Sequence, residues 1–295
     1  MKAPHPKWGA AHRKEHLTSS QEGGTVPKIG KGLTTPGPLA SLLALPLHDI
    51  TADVVADWLR KEIPVRPTSA QNGLRKFRAF IGWCLTQPAY KVAAHADCCT
   101  AKVVRDITPA NKTKPNDCLQ KEQLKLWFAH VRRISNPVFS AFFQALLLTG
   151  ARRGEMQILK WADVDFQWQK MTIRDKVEGT RTIPLTPHLA TLLQSLPRIN
   201  DYVFSSTSSR EGFIIGMPKP HMTAVKNAGL PHISIHGLRR SFATLSEWLS
   251  IPDGVVKQIM GHSPGGVAER HYKQRPIGML RMHHTKIEAF ILKQA

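Results

Sequence analysis

A helix-start segment carries an arginine and a glutamate at a spacing that could bind a phosphate. In TGARRGEMQILKW, residues 149–161, Gly150 allows a turn and a helix is predicted directly after it. Arg152 and Glu155 are three residues apart and therefore share one helix face. A helix start favours anions, so a guanidinium beside free backbone amides suits a bound phosphate. The alternative is a surface Arg–Glu ion pair, which is common and weak.

A second segment, HGLRRSFATLSEWL, residues 236–249, combines an imidazole with a permanent cation. His236 and Arg239 are three residues apart and point together off the apolar stripe. An imidazole that can pass a proton, next to a guanidinium, suits acid–base chemistry on a phosphate ester. The alternative is a capping histidine and a solvated arginine. The stripe itself comprises Leu238, Phe242, Leu245 and Leu249.

Three further residues have types that could take part in such chemistry. Lys176 lies in the turn of a predicted hairpin, five residues before Arg181, where it could enter a DNA groove or remain a solvated charge. His262 lies in the glycine-flanked turn GHSPGG. Tyr272 follows ten residues later and is one of three tyrosines in the chain. In so basic a segment its hydroxyl could stay in water or attack an anionic group.

The overall charge indicates an anionic partner. The 295 residues include 41 Lys and Arg against 21 Asp and Glu, a net charge of +20. Nucleic acid is the commonest partner for such an excess, and a membrane surface is the rival. The longest apolar run is too short to span a bilayer, and the N-terminus has no apolar core of a secretion signal. We therefore expect a soluble cytoplasmic protein with no membrane partner.

Neither a metal nor another cofactor is expected. The four cysteines form no CxxC pair, so buried or idle thiols are the default. Among 14 histidines, His232 and His236 are four residues apart, but Pro231 and Gly237 interrupt a helix across them.

Composition and periodicity predict four regions. Residues 1–46 are rich in Gly, Pro, Lys and His and are expected to be a basic, flexible leader, with order beginning near Ile50. Residues 47–106 predict a helical bundle with a basic outer face, and 107–118 predict a linker. Residues 119–295 predict a mostly helical domain with a small antiparallel β-sheet. The fold class is therefore mostly α, with an α+β domain following an all-helical one.

Three elements of the last region are predicted most clearly. Residues 137–149 are nearly all apolar and predict a buried core helix. Residues 170–174 and 180–185 predict the two strands of the hairpin. The amphipathic segment from residue 277 to the end predicts a last helix. It could pack on its own domain or dock on a neighbouring subunit, and the sequence leaves both open.

The order of these motifs resembles the tyrosine recombinase (phage integrase) family. T-G-x-R-x-x-E is followed by a hairpin lysine, then H-x-L-R, then G-H, then a tyrosine about ten residues later. The resemblance covers about 119–295, and the bundle before it looks like the family's core-binding domain. One departure is a stretch before Tyr272 that is one residue longer than in many members. The implied catalytic residues are Arg152, Lys176, His236, Arg239, His262 and Tyr272, with Glu155 in support.

The resemblance implies covalent DNA strand exchange. The Tyr272 oxygen would attack a DNA phosphodiester and give a 3′-phosphotyrosine with a free 5′-hydroxyl, which a second strand reverses without ATP. His236 is the candidate proton acceptor and Lys176 the candidate donor to the leaving oxygen. Arg152 and Arg239 would hold the non-bridging oxygens, in place of the metal that many phosphoryl-transfer sites use.

The resemblance also implies partners and a role. We expect attachment-type sites on double-stranded DNA, a homotetramer with possible exchange of the C-terminal helix, and integration or excision of a phage or mobile element. The setting would be the nucleoid of a bacterium or phage-infected cell. An N-terminal arm-binding domain looks absent or cut short. Candidate DNA-contacting residues are Arg75, Lys76 and Arg78 in the bundle and Lys112 and Lys114 in the linker.

Two rival functions remain open at this point. A type IB topoisomerase would use the same Arg, Lys, His and Tyr roles to relax supercoils without exchanging partners. A site-specific DNA-binding regulator would use the same residues only to hold phosphates. Covalent trapping on a nicked duplex separates an enzyme from a regulator.

Overall fold

The computed structural model describes residues 8–27, 31–109, 117–175, 179–262 and 275–295. The chain divides into two compact units, residues 1–113 and residues 114–295. Within the described residues, no helix is both long and apolar enough to pass through a bilayer.

The first unit is all helical in its described residues. Its helices are α1 Ala10–Ser20, α2 Ala40–Leu43, α3 Ala52–Val65, α4 Pro67–Thr86, α5 Pro88–Lys91 and α6 Lys102–Ile107. Helix α3 begins at Thr51, whose hydroxyl accepts the backbone N–H of Val54 at 3.4 Å. The amphipathic faces of α3 and α4 supply most of the core of this unit, including Leu59 and Phe77. Not all of the predicted bundle is helical, because turns occupy 95–101 and α6 starts at Lys102.

Order begins earlier than the predicted position near Ile50. Helix α1 lies within the segment 1–46, and Leu39 and Leu42 are buried in the core of the first unit. The composition of this segment is typical of disorder, but two leucines buried against a neighbouring core are enough to fix a short stretch of chain.

The second unit is helical around one small sheet. Its elements are α7 Leu124–Val131, α8 Pro137–Thr149, α9 Arg153–Gln157, β1 Val164–Asp165, β2 Lys170–Asp175, β3 Gly179–Pro184, α10 Pro187–Gln194, α11 Pro218–Asn227, α12 Ile235–Glu247, α13 Asp253–Met260 and α14 Ile277–Lys293. The strands form one antiparallel sheet in the order β1-β2-β3. The predicted fold class is confirmed. The hairpin strands agree with the prediction to within one residue at each end, and β1 was missed because two residues carry no periodic signal.

Helix α8 is the centre of the second unit. Asn136 caps it by accepting the Val138 N–H at 2.9 Å, and Pro137 occupies the first turn. Every residue from 140 to 149 is buried, as expected for a helix that is apolar on nearly all sides. The helix ends at Gly150, whose φ of +60° is left-handed. A Cβ there would lie 2.7 Å from Phe242 Cδ1, so the position requires glycine.

Helix α14 packs on its own unit. Leu280, Ile287 and Ile291 belong to the main core, each at most 1% exposed. The buried carboxylate of Glu288 accepts the backbone N–H groups of His188 at 2.9 Å and Leu189 at 3.1 Å. It also accepts the hydroxyl of Thr186, so it caps the start of α10. Of the two packing alternatives left open by the sequence, the structure shows packing within the unit.

Candidate active site

Arg152 is placed by the junction between α8 and α9. It precedes the first residue of α9, and its backbone N–H donates to Glu155 Oε2 at 3.0 Å, as at many helix starts. Its guanidinium donates to the other carboxylate oxygen, Oε1, at 2.7 Å. The predicted i, i+3 pairing is therefore observed. Arg152 is the N-cap residue of α9, so it lies just before the helix and not within it.

A second arginine, Arg181, also pairs with the Glu155 carboxylate. Arg181 Nη2 donates to Glu155 Oε2 at 2.7 Å, and the Arg181 side chain is only 16% exposed. Its Nε donates to the carbonyl oxygen of Ile259 at 3.2 Å. Arg181 thus links the hairpin strand β3, the start of α9 and the end of α13. An arginine can link all three elements because its guanidinium is always charged and carries several N–H donors in one plane.

His262 is fixed at the end of α13. Gly261 adopts φ +71° and donates its N–H to Gln258 O at 3.3 Å, while the His262 N–H donates to Lys257 O at 2.9 Å. These two bonds form a Schellman motif, which places the residue after the glycine in a set position. A Cβ on Gly261 would lie 2.6 Å from Arg181 Cζ, so the glycine also makes room for that guanidinium.

Helix α12 carries the His236–Arg239 pair, and its start is anchored by a distant carboxylate. Ser234 caps the helix by accepting the Gly237 N–H at 3.0 Å. Asp117 in turn accepts both the N–H and the hydroxyl of Ser234, at 2.7 and 2.6 Å. The Arg240 guanidinium also donates to Asp117, at 2.6 Å. Burial raises the pKa of Asp117, but these hydrogen bonds and the Arg240 charge outweigh it, and the net pKa is lowered.

Arg239 connects three of the segments. Its side chain is buried, and Nη1 donates to the carbonyl oxygens of Gly150 at 2.6 Å and Met260 at 2.7 Å. Those carbonyls belong to the end of α8, just before Arg152, and to the end of α13, just before His262. The buried guanidinium therefore holds both turns against α12.

The two histidines lie in the field of these cations. Burial lowers the pKa of His236 below its ordinary value, and the guanidiniums of Arg240, Arg239 and Arg152 lower it further. Burial likewise lowers the pKa of His262, with further lowering by Arg239 and Arg152. Both imidazoles are therefore neutral at pH 7. Arg152 and Arg239 thus lie close enough to both histidines to lower their pKa values. These four predicted catalytic residues come from three separate segments of the sequence.

Comparisons with known proteins identify the family to which this chain belongs. Residues 99–276 match the phage integrase family, and residues 1–106 match the phage integrase core-binding domain. The chain belongs to the phage integrase family. Its similarity to one curated member, prophage integrase IntF of Escherichia coli (strain K12), is 49% identity over 95% of this chain. The chain spans 62% of the length of that integrase.

Solved phage integrase structures share the fold. A lambda integrase(75-356) dimer bound to a COC′ core site has a TM-score of 0.57 with this chain, at 20% identity, covering 79% of this chain and 85% of that one. A lambda integrase tetramer bound to a Holliday junction also has a TM-score of 0.57, at 19% identity, covering 81% of this chain and 71% of that one. Both therefore show that this member of the family has the integrase fold.

Several predicted residues of this phage integrase family member lie outside the described residues. Lys176 and Tyr272 do, and so do the linker candidates Lys112 and Lys114. In the first unit, Arg75 is exposed and donates to Asn72 Oδ1 at 3.3 Å. Arg78 is exposed and donates to the carbonyl of Cys99 at 2.8 Å, so both remain predictions for DNA contact.

Lys76 forms contacts within the first unit, and as a DNA contact it remains a prediction. Its side chain is 12% exposed, and its Nζ lies 2.9 Å from Glu15 Oε1 and 2.7 Å from Ser19 Oγ. It thereby ties α1 to α4. The periodicity of α4 placed Lys76 correctly off the apolar stripe, but it did not reveal that α1 covers that face. The structure gives no support to Lys76 as a DNA contact.

Sequence reasoning missed Arg181 and Asp117 as parts of this integrase site. Arg181 pairs with the buried Ile173 across the hairpin and lies two residues from the buried Ile183, so strand alternation places it on the inward face. That alternation was a usable signal. Asp117 gave no such signal, because its partner Ser234 is 117 residues away.

Proposed function

We propose that the chain is a tyrosine-type site-specific DNA recombinase. In this proposal it cleaves and rejoins strands through a 3′-phosphotyrosine, integrating or excising a phage or mobile element. The observation that carries it is the position of Arg239, which holds the turns of Arg152 and His262 against the helix of His236. Arg239 thereby brings together four groups that can bind a phosphate and assist its attack by a hydroxyl. The family membership supports the same reaction.

The proposed roles follow from charge and protonation. Arg152 and Arg239 hold the non-bridging oxygens, where negative charge accumulates in the transition state. His236 is neutral and can accept the Tyr272 proton, because a phenol with a pKa near 10 is protonated at pH 7. His262 donates one hydrogen bond, and Lys176 protonates the leaving 5′-oxygen. Glu155 positions Arg152, and no cofactor takes part in this scheme.

The proposed substrate is double-stranded DNA with attachment-type sites, bound by a homotetramer within the nucleoid of a bacterial or phage-infected cell. The net charge of +20 supports a polyanionic partner. The comparison tetramer on a Holliday junction supports the assembly. The contacts of α14 give no support to an exchange of this helix between subunits.

Covalent capture on a mixture of DNA sequences tests the proposal. The full chain is incubated with a pool of nicked duplexes with randomised flanks, in which cleavage releases a short fragment and prevents religation. We expect a DNA adduct that survives denaturant, and peptide mass spectrometry should place it on Tyr272. Recovered adducts also give the preferred sequence and the cleaved phosphate.

Two variants make the outcome decisive. Tyr272→Phe should bind the recovered duplex and form no adduct. Tyr90→Phe, in the half-exposed aromatic cluster of the first unit, should form adduct like the parent chain. An adduct formed at normal yield by Tyr272→Phe would contradict the assignment of the nucleophile. The absence of adduct from the parent chain on every duplex would contradict enzymatic activity.

A further inference from the structure

A cavity beside the proposed catalytic residues has no role in the scheme above. It has a volume of about 420 Å³ and lies entirely in the second unit, between α11, the segment before α12 and the start of α9. His236 forms part of its wall, so the cavity and the proposed active site share that residue. Arg153 and His232 also line it.

Arg153 brings a positive charge to this cavity that no described residue neutralises. Its side chain is exposed, and no hydrogen bond or ion pair joins it to another residue in the described ranges. The neighbouring arginines differ in this respect, since Arg152 is paired with Glu155 and Arg240 with Asp117. An unneutralised guanidinium at the mouth of a cavity favours an anion that it can hold bidentately.

His221, which lines the cavity, carries a buried hydrogen-bond donor. The indole N–H of Trp127 donates to His221 Nε2 at 3.3 Å, so the proton of the neutral ring is on Nδ1. His221 is fully buried, and Nδ1 has no partner among the described residues. Burial, followed by the charge of His232, lowers the pKa of His221 to about 4, so the ring remains a neutral donor. A buried N–H without an acceptor favours an occupant that carries acceptor oxygens.

The walls favour a sugar–phosphate unit over a base. Met222, Ile233 and Pro218 give the cavity an apolar side that suits the carbon face of a deoxyribose. No Phe, Tyr or Trp lines it among the described residues, whereas pockets for unstacked bases use such rings for stacking. The occupant that matches cation, donor and apolar wall together is one nucleotide's backbone.

We propose that this cavity, here called the Arg153 subsite, binds the phosphodiester next to the one under attack on the same DNA strand. The inference rests on the proposed function, which places the attacked phosphate at Arg152 and His236. Arg153 directly follows Arg152 in the chain, and His236 lines the cavity, so the cavity borders the residues proposed to hold the attacked phosphate. Arg153 is then a positioning residue that fixes the strand while the neighbouring phosphate reacts.

A methylphosphonate scan tests this without strand cleavage. In the Tyr272→Phe background, binding is measured on a duplex selected for binding, with each phosphate replaced in turn by a neutral methylphosphonate. At one position flanking the attacked phosphate, replacement should weaken binding about tenfold, the effect of one charge-assisted contact. Adding Arg153→Gln should abolish that penalty at that position and leave the penalties elsewhere unchanged. It should also lower the slope of log affinity against log salt by about 0.9.

Arg210→Gln is the matched control, because Arg210 is an exposed cation of the same unit outside the cavity. It should keep the methylphosphonate penalty. The inference is overturned if Arg153→Gln keeps the penalty, if Arg210→Gln removes it equally, or if an abasic nucleotide weakens binding where the methylphosphonate does not. The attacked phosphate is mapped separately with the parent chain. A missing adduct contradicts the recombinase proposal, whereas a retained penalty contradicts only the subsite.

Discussion

Arg181 and Glu155 are joined by a hydrogen bond of 2.7 Å across 26 residues of chain, and Glu155 is almost fully buried beneath it. The same carboxylate receives Arg152 on its other oxygen at 2.7 Å. One acidic group thus fixes two guanidiniums, one proposed to hold the phosphate and one that supports the turn before His262. The reactive geometry therefore depends on a residue that need not touch DNA.

Glu155→Gln should weaken both stability and catalysis. The amide keeps the shape of the side chain but loses the charge, and its NH₂ group faces a guanidinium. We expect the free energy of unfolding to fall by about 2 kcal/mol. This is less than for a fully buried charge pair, because solvent screens the partly exposed Arg152. Since Arg152 is then less well held, the adduct rate should fall at least roughly tenfold. Glu122→Gln, at an exposed position, should change neither quantity. An adduct rate equal to the parent's would show that Glu155 is only structural.

Arg239→Lys should separate binding from chemistry. The lysine ammonium retains the charge, but it lacks the planar guanidinium with which Arg239 can bind two carbonyl oxygens and a phosphate at once. We expect the adduct rate to fall on the order of a hundredfold, as for other losses of a transition-state donor. Single-turnover trapping at saturating DNA measures this rate, with Arg210→Lys as the control. A rate within about twofold of the parent's would contradict the proposed role.

Gly150→Ala and Gly154→Ala should have opposite effects on stability. At Gly150 the left-handed φ and the contact with Phe242 oppose a Cβ, so we expect a loss of about 2–4 kcal/mol. At Gly154, within α9, a Cβ meets no atom within 4 Å. Alanine there should stabilise the fold by about 0.5–1 kcal/mol. Urea unfolding checks both, and equal losses would contradict the geometry at the end of α8.

The second unit should lose stability in mild acid because of His221. Its pKa is lowered from 6.5 to about 4 in the folded chain, so above pH 6.5 the ring is neutral whether folded or unfolded. As the pH falls below 6.5, the unfolded chain takes up a proton that the folded chain refuses, and stability is lost until the pH reaches about 4. The loss should be on the order of 3 kcal/mol.

His221→Gln provides the check on that assignment. The variant should show a smaller change in unfolding free energy across this pH range, measured by urea titration of the full chain. His284 is also fully buried with a lowered pKa, caused mainly by burial, so part of the pH dependence should remain. His130→Gln, on a half-exposed position of α7, should keep the parent's full slope. An unchanged slope in His221→Gln would contradict the assignment.

The parts of this molecule that could be predicted are those whose signal is local. Helix α8 is apolar on nearly all sides, and the hairpin strands alternate, so each pattern is set by neighbouring residues. The candidate catalytic residues followed from the order of short motifs. Their convergence could not follow from any one motif, because it depends on Arg239 reaching Gly150, 89 residues away.

The parts that could not be predicted depend on distant partners. Asp117 looked like the end of a polar linker, and only the fold brings it to the start of α12. The segment around α1 has a composition typical of disorder, and Lys76 was a candidate DNA contact. The two meet through the Lys76–Glu15 ion pair, which the sequence does not reveal because these residues are 61 positions apart. The packing of α14 likewise depends on Glu288 finding α10, 99 residues earlier in the chain.

Glu288 also makes the start of α10 depend on the far end of the chain. A chain without its last helix would leave one hydroxyl and two backbone N–H groups at the start of α10 without their acceptor. A truncation that removes Glu288 should therefore loosen α10 as well as take apolar side chains out of the core, so these C-terminal residues are not a dispensable tail.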